Sequence, residues 1–385
     1  MKKKDKKTRI DELVEAFEAG QLTRRGFIKK ATALGLSLAG ALTIADSFFS
    51  GTRQAYAAQV DRSKLSKQLN IYNWSDYIAE DTIPNFEKEF GVKVNYDTYE
   101  DNEAMLAKLQ SGATGYDIVV PTGYMIEIML KQGLLAPIDH EIIPNLKGVS
   151  ETLQDPPYDR GRKHTVPWQW GTTGFAYNSK KVSGKVDSWK LLWDPQYEGK
   201  ITLLDDMRSA ISVALKYRGY SLNSTSKSEL MEAKRMLMEQ KPLLKAYISA
   251  PVKSLLISGE VWLSQLWVGD TLMAKDENND IEYCIPKEGC EIWDDNLAIP
   301  KSAPHKYTAQ VWMNYCLRPE VSAGVSNFVH YATPVEAAKK LIDKSDLNNP
   351  GIYPPPEVMQ RLEFQKDVGE ATRLYDQIWT ELKAA

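Results

Sequence analysis

The sequence predicts an α/β protein built as two lobes, and three observations predict it. Once a leader is set aside, about 330 residues remain, too many for one compact core of ordinary size. Short β-rich runs alternate with amphipathic segments, the pattern of parallel-dominated sheets with helices on both faces. No internal repeat of 20 to 50 residues and no low-complexity stretch beyond the leader suggests another architecture.

In chain order, Met1 to Arg25 is rich in Lys and Arg, and Ala31 to Ala45 follows as an uncharged, mostly small or apolar run. That is the layout of an export signal. Thr23-Arg24-Arg25-Gly26-Phe27-Ile28-Lys29-Lys30 sets paired arginines directly before the apolar stretch, the pattern read by the twin-arginine machinery. A membrane anchor competes with this reading, but a span needs roughly 20 apolar residues and Asp46 interrupts the run. Ala55-Tyr56-Ala57 is an A-x-A site, so residues 1–57 are read as a twin-arginine signal peptide cleaved after Ala57. The segment holds no Cys to carry a lipid. The chain has 48 Lys+Arg and 51 Asp+Glu; residues 1–57 account for 11 and 6 of them, leaving 37 against 45 and a net charge of −8. An acidic balance disfavours nucleic acid and mildly favours cationic ligands.

After the leader, Leu69 to Tyr72, Val92 to Tyr96, Asp117 to Val120, Ile201 to Leu204 and Val261 to Leu266 read as strands. Thr82 to Phe90, Asn102 to Gln110 and Ser228 to Gln240 read as helices. The run Asn349-Pro350-Gly351-Ile352-Tyr353-Pro354-Pro355-Pro356 cannot continue a helix and makes a fixed connection. Beyond it, Glu357 to Lys383 reads as helix. Cys284 and Cys290 flank a Pro286-Lys287-Glu288-Gly289 turn, and either a disulfide or two free thiols fits that spacing in an oxidising compartment. Cys316, in the apolar stretch Tyr307 to Leu317, reads as a buried small hydrophobe.

In such sheets ligands sit outside the carboxyl ends of strands. Trp74, Ser75, Asp76 and Tyr77 follow the first strand, Thr122 and Tyr124 the third, and Asp205 and Asp206 the fourth. Trp267 and Asp270 follow the fifth, and Trp293, Asp294 and Asp295 precede Asn296 to Ile299. One lone Trp is more simply core packing, but five strand ends that supply aromatics or acids, three of them both, point to one ligand chemistry. Flat rings offer apolar walls and cation–π attraction of about 0.5 to 2 kcal/mol per contact. Carboxylates offer charge-assisted hydrogen bonds. Methylene chains that carry ammonium groups need both, which describes linear polyamines.

Five ordered stretches carry a resemblance: Tyr72-Asn73-Trp74-Ser75-Asp76-Tyr77, Tyr116-Asp117-Ile118-Val119-Val120-Pro121, Pro286-Lys287-Glu288-Gly289, Leu297-Ala298-Ile299-Pro300 and Leu317-Arg318-Pro319. Along nearly its whole mature length the chain resembles the periplasmic spermidine- and putrescine-binding proteins of ABC importers. The resemblance implies a two-lobed periplasmic-binding-protein fold, type II-like, with the ligand in the interlobe cleft. Lobe 1 would be 58–171 with 294–339, and lobe 2 would be 172–293 with 340–385. It implies ligand contacts from Trp74, Ser75, Asp76, Tyr77, Thr122 and Tyr124 on the first lobe. Asp206, Trp267, Asp270 and Trp293 would lie largely opposite, Asp295 would hold an ammonium, Tyr331 would form a wall and Gln365 a polar contact. It further implies a periplasmic monomer that hands a polyamine to a membrane permease, with no cofactor or metal and no nucleic acid.

One position departs from the family. Its best-known members carry a Glu three residues beyond the position of Asp206, and this chain has Ser209. Subclass signals conflict as well: Ser75, Asp76, Asp270 and the Asn349 to Pro355 run look like putrescine binders, whereas Trp293 and Gln365 look like spermidine binders.

An exported hydrolase is the rival class, because Asp205/Asp206 and Asp294/Asp295 are paired acids. Adjacent acids usually point apart, one of each pair being a surface or helix-start residue. No G-x-S-x-G, no H-E-x-x-H and no phosphate-cradling glycine loop occurs. His140, His164, His305 and His330 are scattered, with His164 near the lobe boundary the one to locate. Metal or anion capture on the same fold would want converging Tyr, His or Cys, or free N–H groups at helix starts. Another organic cation is the alternative ligand, and a sensor role with the same closing motion fits the sequence as well as transport does.

Overall fold

The computed structural model describes residues 60–112, 115–249 and 251–385, together with positions 10, 13–14, 24–34 and 37. Helix α1 (Arg24–Ala33) begins at the paired arginines Arg24 and Arg25. The expected cleavage site at Ala55 to Ala57 lies outside the described residues. No helix among the described residues is long and apolar enough to cross a membrane.

The strands are β1 (Gln68–Trp74), β2 (Lys93–Tyr99), β3 (Ile118–Val119), β4 (Thr165–Asn178), β5 (Ile201–Leu203), β6 (Leu244–Tyr247), β7 (Leu263–Trp267), β8 (Ile281–Cys284), β9 (Glu291–Ala298) and β10 (Glu363–Phe364). They join in one sheet of order β2-β1-β3-β9-β4-β7-β5-β6, with β10 on β9 and β8 on β4. The parallel expectation holds at the flanks, where β1 pairs β2 and β3, and β5 pairs β6 and β7. It fails at the centre: β9 runs antiparallel to β3 and β4, and β4 runs antiparallel to β7 and β8.

The reason is β4, which the sequence reading missed. Its 14 residues, at about 3.3 Å rise each, reach from one core to the other. Thr165 to Thr173 pair with β9, Thr173 to Tyr177 with β7, and Phe175 to Asn178 with β8. The register slips between Pro167 and Gln169, a bulge where a residue without an N–H is tolerated.

The helices α2 (Thr82–Phe90), α3 (Asn102–Gln110) and α4 (Gly123–Lys131) serve the first flank. There Leu69, Ile71, Phe86, Ile118, Leu297 and Trp312 share a core. On the second flank, α5 (Met207–Tyr217) and α6 (Lys227–Gln240) bring Ile211 and Leu237 to Phe175, Trp189, Leu203 and Leu263. Helices α7 (Val252–Ile257) and α8 (Val268–Glu277) close its other side with Leu256 and Ala274. Farther on come α9 (Lys306–Cys316) and α10 (Pro319–Val329).

Two points of the sequence reading are resolved here, the first as a correction. Glu357 to Lys383 is not one helix: a short turn of helix at Pro356–Met359 gives way to β10, and α11 begins at Thr372 (Thr372–Ala384). Sheet pairing of Glu363 and Phe364 with Glu291 and Ile292 overrides local propensity. Gly369, at φ +56°, sits in the connection that follows. The second point decides between the two states open to Cys284 and Cys290, which are both free thiols. Cys284 Sγ turns to the Val186 carbonyl and Cys290 Sγ to the Glu291 carbonyl. Cys316 is buried, as read.

Candidate ligand-binding cleft

Strand β1 ends at Trp74, whose Nε1 donates to the Val120 carbonyl at 2.8 Å and whose ring packs on Tyr99 at 4.7 Å. Asp76 follows with φ +51°, a left-handed turn that Asp tolerates better than most residues. This turn lets the chain place Tyr77 beneath the cavity and leave Asp76 at its edge. At the end of β3, Thr122 precedes α4, and its hydroxyl donates to Asp295 Oδ1 at 2.7 Å. Tyr77 Oη donates to the other oxygen, Oδ2, at 2.9 Å. Asp295 is therefore buried with one donor on each oxygen and no ion-pair partner among the described residues. Burial pushes its carboxyl up to about 7, and the donors from Thr122 and Tyr77 only partly oppose that.

Aromatic rings wall the space around it. Trp293 meets Tyr331 at 5.1 Å, Tyr77 meets Tyr331 at 5.3 Å, and Trp74 faces Trp267 at 6.4 Å in an edge contact. The Tyr331 hydroxyl donates to Asp270 Oδ2. Asp206 caps α5 by accepting from Ser209 N at 2.7 Å.

The open space, about 700 Å³, is lined by all thirteen residues expected from the sequence: Trp74, Ser75, Asp76, Tyr77, Thr122, Tyr124, Asp206, Trp267, Asp270, Trp293, Asp295, Tyr331 and Gln365. Ser209, Tyr99, Glu100, Asn102 and Glu291 line it too. The last four were missed because β2 was ended at Tyr96 and β9 was started at Asn296. With β9 running from Glu291, alternation puts Glu291, Trp293 and Asp295 on one face. Lys253, on α7, also escaped notice; its ammonium lies 2.6 Å from Asp76 Oδ2 and 3.2 Å from Asp270 Oδ1.

The paired acids do point apart. Asp205 is on the surface with Lys383, while Asp206 faces the cavity. Asp294 corrects the expectation of a surface or helix-start residue: it is buried in mid-strand, where it accepts from the Tyr158 hydroxyl and lies 3.9 Å from Arg162. None of the four histidines lines the cavity; His164 rests on Asp159 at 3.2 Å. The geometry is that of a binding site, with buried carboxylates set among aromatic rings.

The profile of the bacterial extracellular solute-binding proteins matches residues 82–350. The chain belongs to that family. Among the solute-binding proteins it is similar to, the spermidine/putrescine-binding periplasmic protein of Salmonella typhimurium is 35% identical, over 91% of this chain and 97% of that protein. A putrescine-binding periplasmic protein of Escherichia coli is also 35% identical, over 83% and 92%. A solved structure from Listeria monocytogenes, described as a spermidine/putrescine ABC transporter, is 36% identical with a TM-score of 0.80, over 83% of this chain and 99% of that one. The fold is the two-lobed α/β fold of these solute-binding proteins.

Proposed function

We propose that this chain is the periplasmic component of an ABC importer that binds spermidine, putrescine or both. The observation that carries the proposal is Asp295, a buried carboxylate ringed by Tyr77, Trp293 and Tyr331 and lacking a cation partner among the described residues. An ammonium flanked by methylenes supplies the missing charge and fills the apolar walls. The names of the relatives agree with that chemistry.

On this reading 58–171 with 294–339 form one lobe and 172–293 with 340–385 the other. Separate hydrophobic clusters on the two flanks of the sheet support that division, with Val268, Trp293 and Ile352 packing across it onto the first-flank core. Ligand contacts from both lobes stabilise a closed state, and a permease or receptor reads the closure. The leader directs twin-arginine export and is cut after Ala57; the mature protein acts as a monomer and performs no catalysis. Lys253 favours a second reading, an organic cation with fewer charges, because it already occupies Asp76 and Asp270.

Titration calorimetry of the full chain, stripped of carried-over ligand by unfolding and refolding, tests the proposal against putrescine, cadaverine, spermidine, spermine and an amino-acid control. One-to-one binding of an amine at micromolar or better affinity is expected. No heat with any amine removes polyamines from the reading.

A further inference from the structure

We propose that Glu291 is an ammonium-binding carboxylate of this cleft, receiving a terminal amine of the ligand together with Asp206. The inference rests on the polyamine reading and deepens it, because it assigns where one end of the ligand is held.

Glu291 opens β9, shares a face with Trp293 and Asp295, and lines the same cavity. It is 5% exposed, and its Oε2 accepts from the Ser209 hydroxyl at 3.0 Å. Among the described residues no lysine or arginine forms an ion pair with Glu291, Asp206 or Glu103. Arg208 is near, but its terminal nitrogens donate to the Lys366 carbonyl and to Asn223 Oδ1, and its guanidinium lies over the rings of Tyr124 and Tyr375. Lys216 is committed to Glu363 at 2.6 Å. A buried carboxylate in such a place must be met by a proton or by a cation brought in from outside.

A second, separate observation points to a donor from the ligand. Gln365, 8% exposed and on the cavity wall, has an Oε1 with no hydrogen-bond partner. A primary ammonium carries three N–H groups, enough for Glu291, Asp206 and Gln365 at once. A metal ion is the poorer candidate, since among the described residues no three His, Cys, Asp or Glu side chains converge to hold one.

In the empty cleft a proton takes the place of the ammonium. Burial first, and then the charge of Asp206, push the Glu291 carboxyl up to about 8, with Ser209 and Arg208 opposing. Glu103, held up to about 7 by burial and Asp206, faces Asp206, and Cys290 adjoins Glu291 as a neutral thiol. Amine binding therefore displaces a proton from Glu291.

The test is calorimetry of wild type, Glu291→Gln and Asp295→Asn at pH 7 with putrescine and spermidine, in buffers of different ionisation enthalpy. Glu291→Gln keeps the shape and the Ser209 contact and removes the charge. At least tenfold weaker binding is expected, about 1.4 kcal/mol, with fewer protons released per amine bound. Ser209→Ala leaves the charge and removes the hydroxyl that orients it; about threefold weakening is expected. If wild type binds an amine, Asp295→Asn weakens it, and both Glu291→Gln and Ser209→Ala bind as wild type with unchanged proton release, Glu291 is not a ligand contact and the polyamine reading stands. If wild type binds no amine, that reading and this one fail together.

Discussion

The ammonium of Lys253 lies 2.6 Å from Asp76 Oδ2, a bridge from helix α7 to the turn after β1. The same ammonium reaches Asp270 Oδ1 at 3.2 Å, so one protein cation takes up two acids of the cleft. Asp76 is largely exposed, and its half of the bridge contributes little to stability. Asp270 is mostly buried and accepts from Tyr331, which makes it the acid that Lys253 withholds from a ligand. Lys253→Met is expected to raise affinity for a triamine relative to a diamine about tenfold, roughly 1.4 kcal/mol. An unchanged ratio in competitive titration would place Lys253 outside the amine path.

Asp295 yields a prediction about pH. Its carboxyl rises to about 7 and that of Glu103 to about 7, both chiefly through burial, and Asp206 and Asp294 shift the same way. In the unfolded chain these groups ionise near pH 4, so between about pH 4 and pH 7 the folded state binds more protons. Stability of the empty protein therefore falls as pH rises through that window, and an amine that pairs with the ionised acids opposes the fall. Scanning calorimetry from pH 5 to pH 8 is expected to show a declining Tm without ligand and a ligand-induced increase in Tm that grows with pH. Asp295→Asn is expected to flatten both trends and to weaken amine binding at least tenfold, by about 1.4 kcal/mol. Parallel pH profiles in mutant and wild type would refute the assignment.

Much of the cleft was legible because strand ends announce themselves. Trp74 to Tyr77, Thr122 and Trp267 follow apolar runs whose ends the sequence marks. Glu291 was not legible, because Pro286-Lys287-Glu288-Gly289 marks a turn but nothing local shows that pairing with β4 resumes at Glu291. Once that register is known, the face of Glu291 follows from Trp293. The departure at Ser209 also looks different in three dimensions: its hydroxyl touches a carboxylate that arrives from another strand, a pairing of residues 82 apart that no local pattern could reveal. Gln365 was expected by resemblance alone, and β10 explains how it arrives, since pairing with β9 carries the chain back to the cavity. Strand β4 was hidden by Pro167, Gly171 and Gly174, which read locally as breakers but here permit a bulge and close ring packing.

The leader can be tested apart from the cleft. Twin-arginine recognition depends on the guanidinium pair, which lysine does not reproduce. Replacing Arg24 and Arg25 together by Lys is expected to stop or severely slow export, with uncleaved precursor accumulating in the cytoplasm on pulse labelling. Undiminished export would show that the pair is incidental.

Gly269 links backbone packing to the ligand wall. A Cβ built there would lie 2.2 Å from the Val329 carbonyl oxygen and 2.5 Å from the Tyr331 ring, so Ala cannot enter without moving α8 or Tyr331. Tyr331 holds Asp270 and packs on Trp293 and Tyr77, and its displacement disturbs the wall beside Asp295. Gly269→Ala is expected to lower Tm by roughly 5 °C, as overpacking of about 1 to 3 kcal/mol does in a chain of this size, and to weaken amine binding as well. Gly324→Ala serves as the control. Gly324 is an exposed position on the otherwise largely buried α10, with nothing within 4 Å of the added atom, so Ala there should leave binding untouched and, by helix propensity, hold or raise Tm. Equal behaviour of the two variants would mean that Tyr331 is not fixed by the close approach of Gly269.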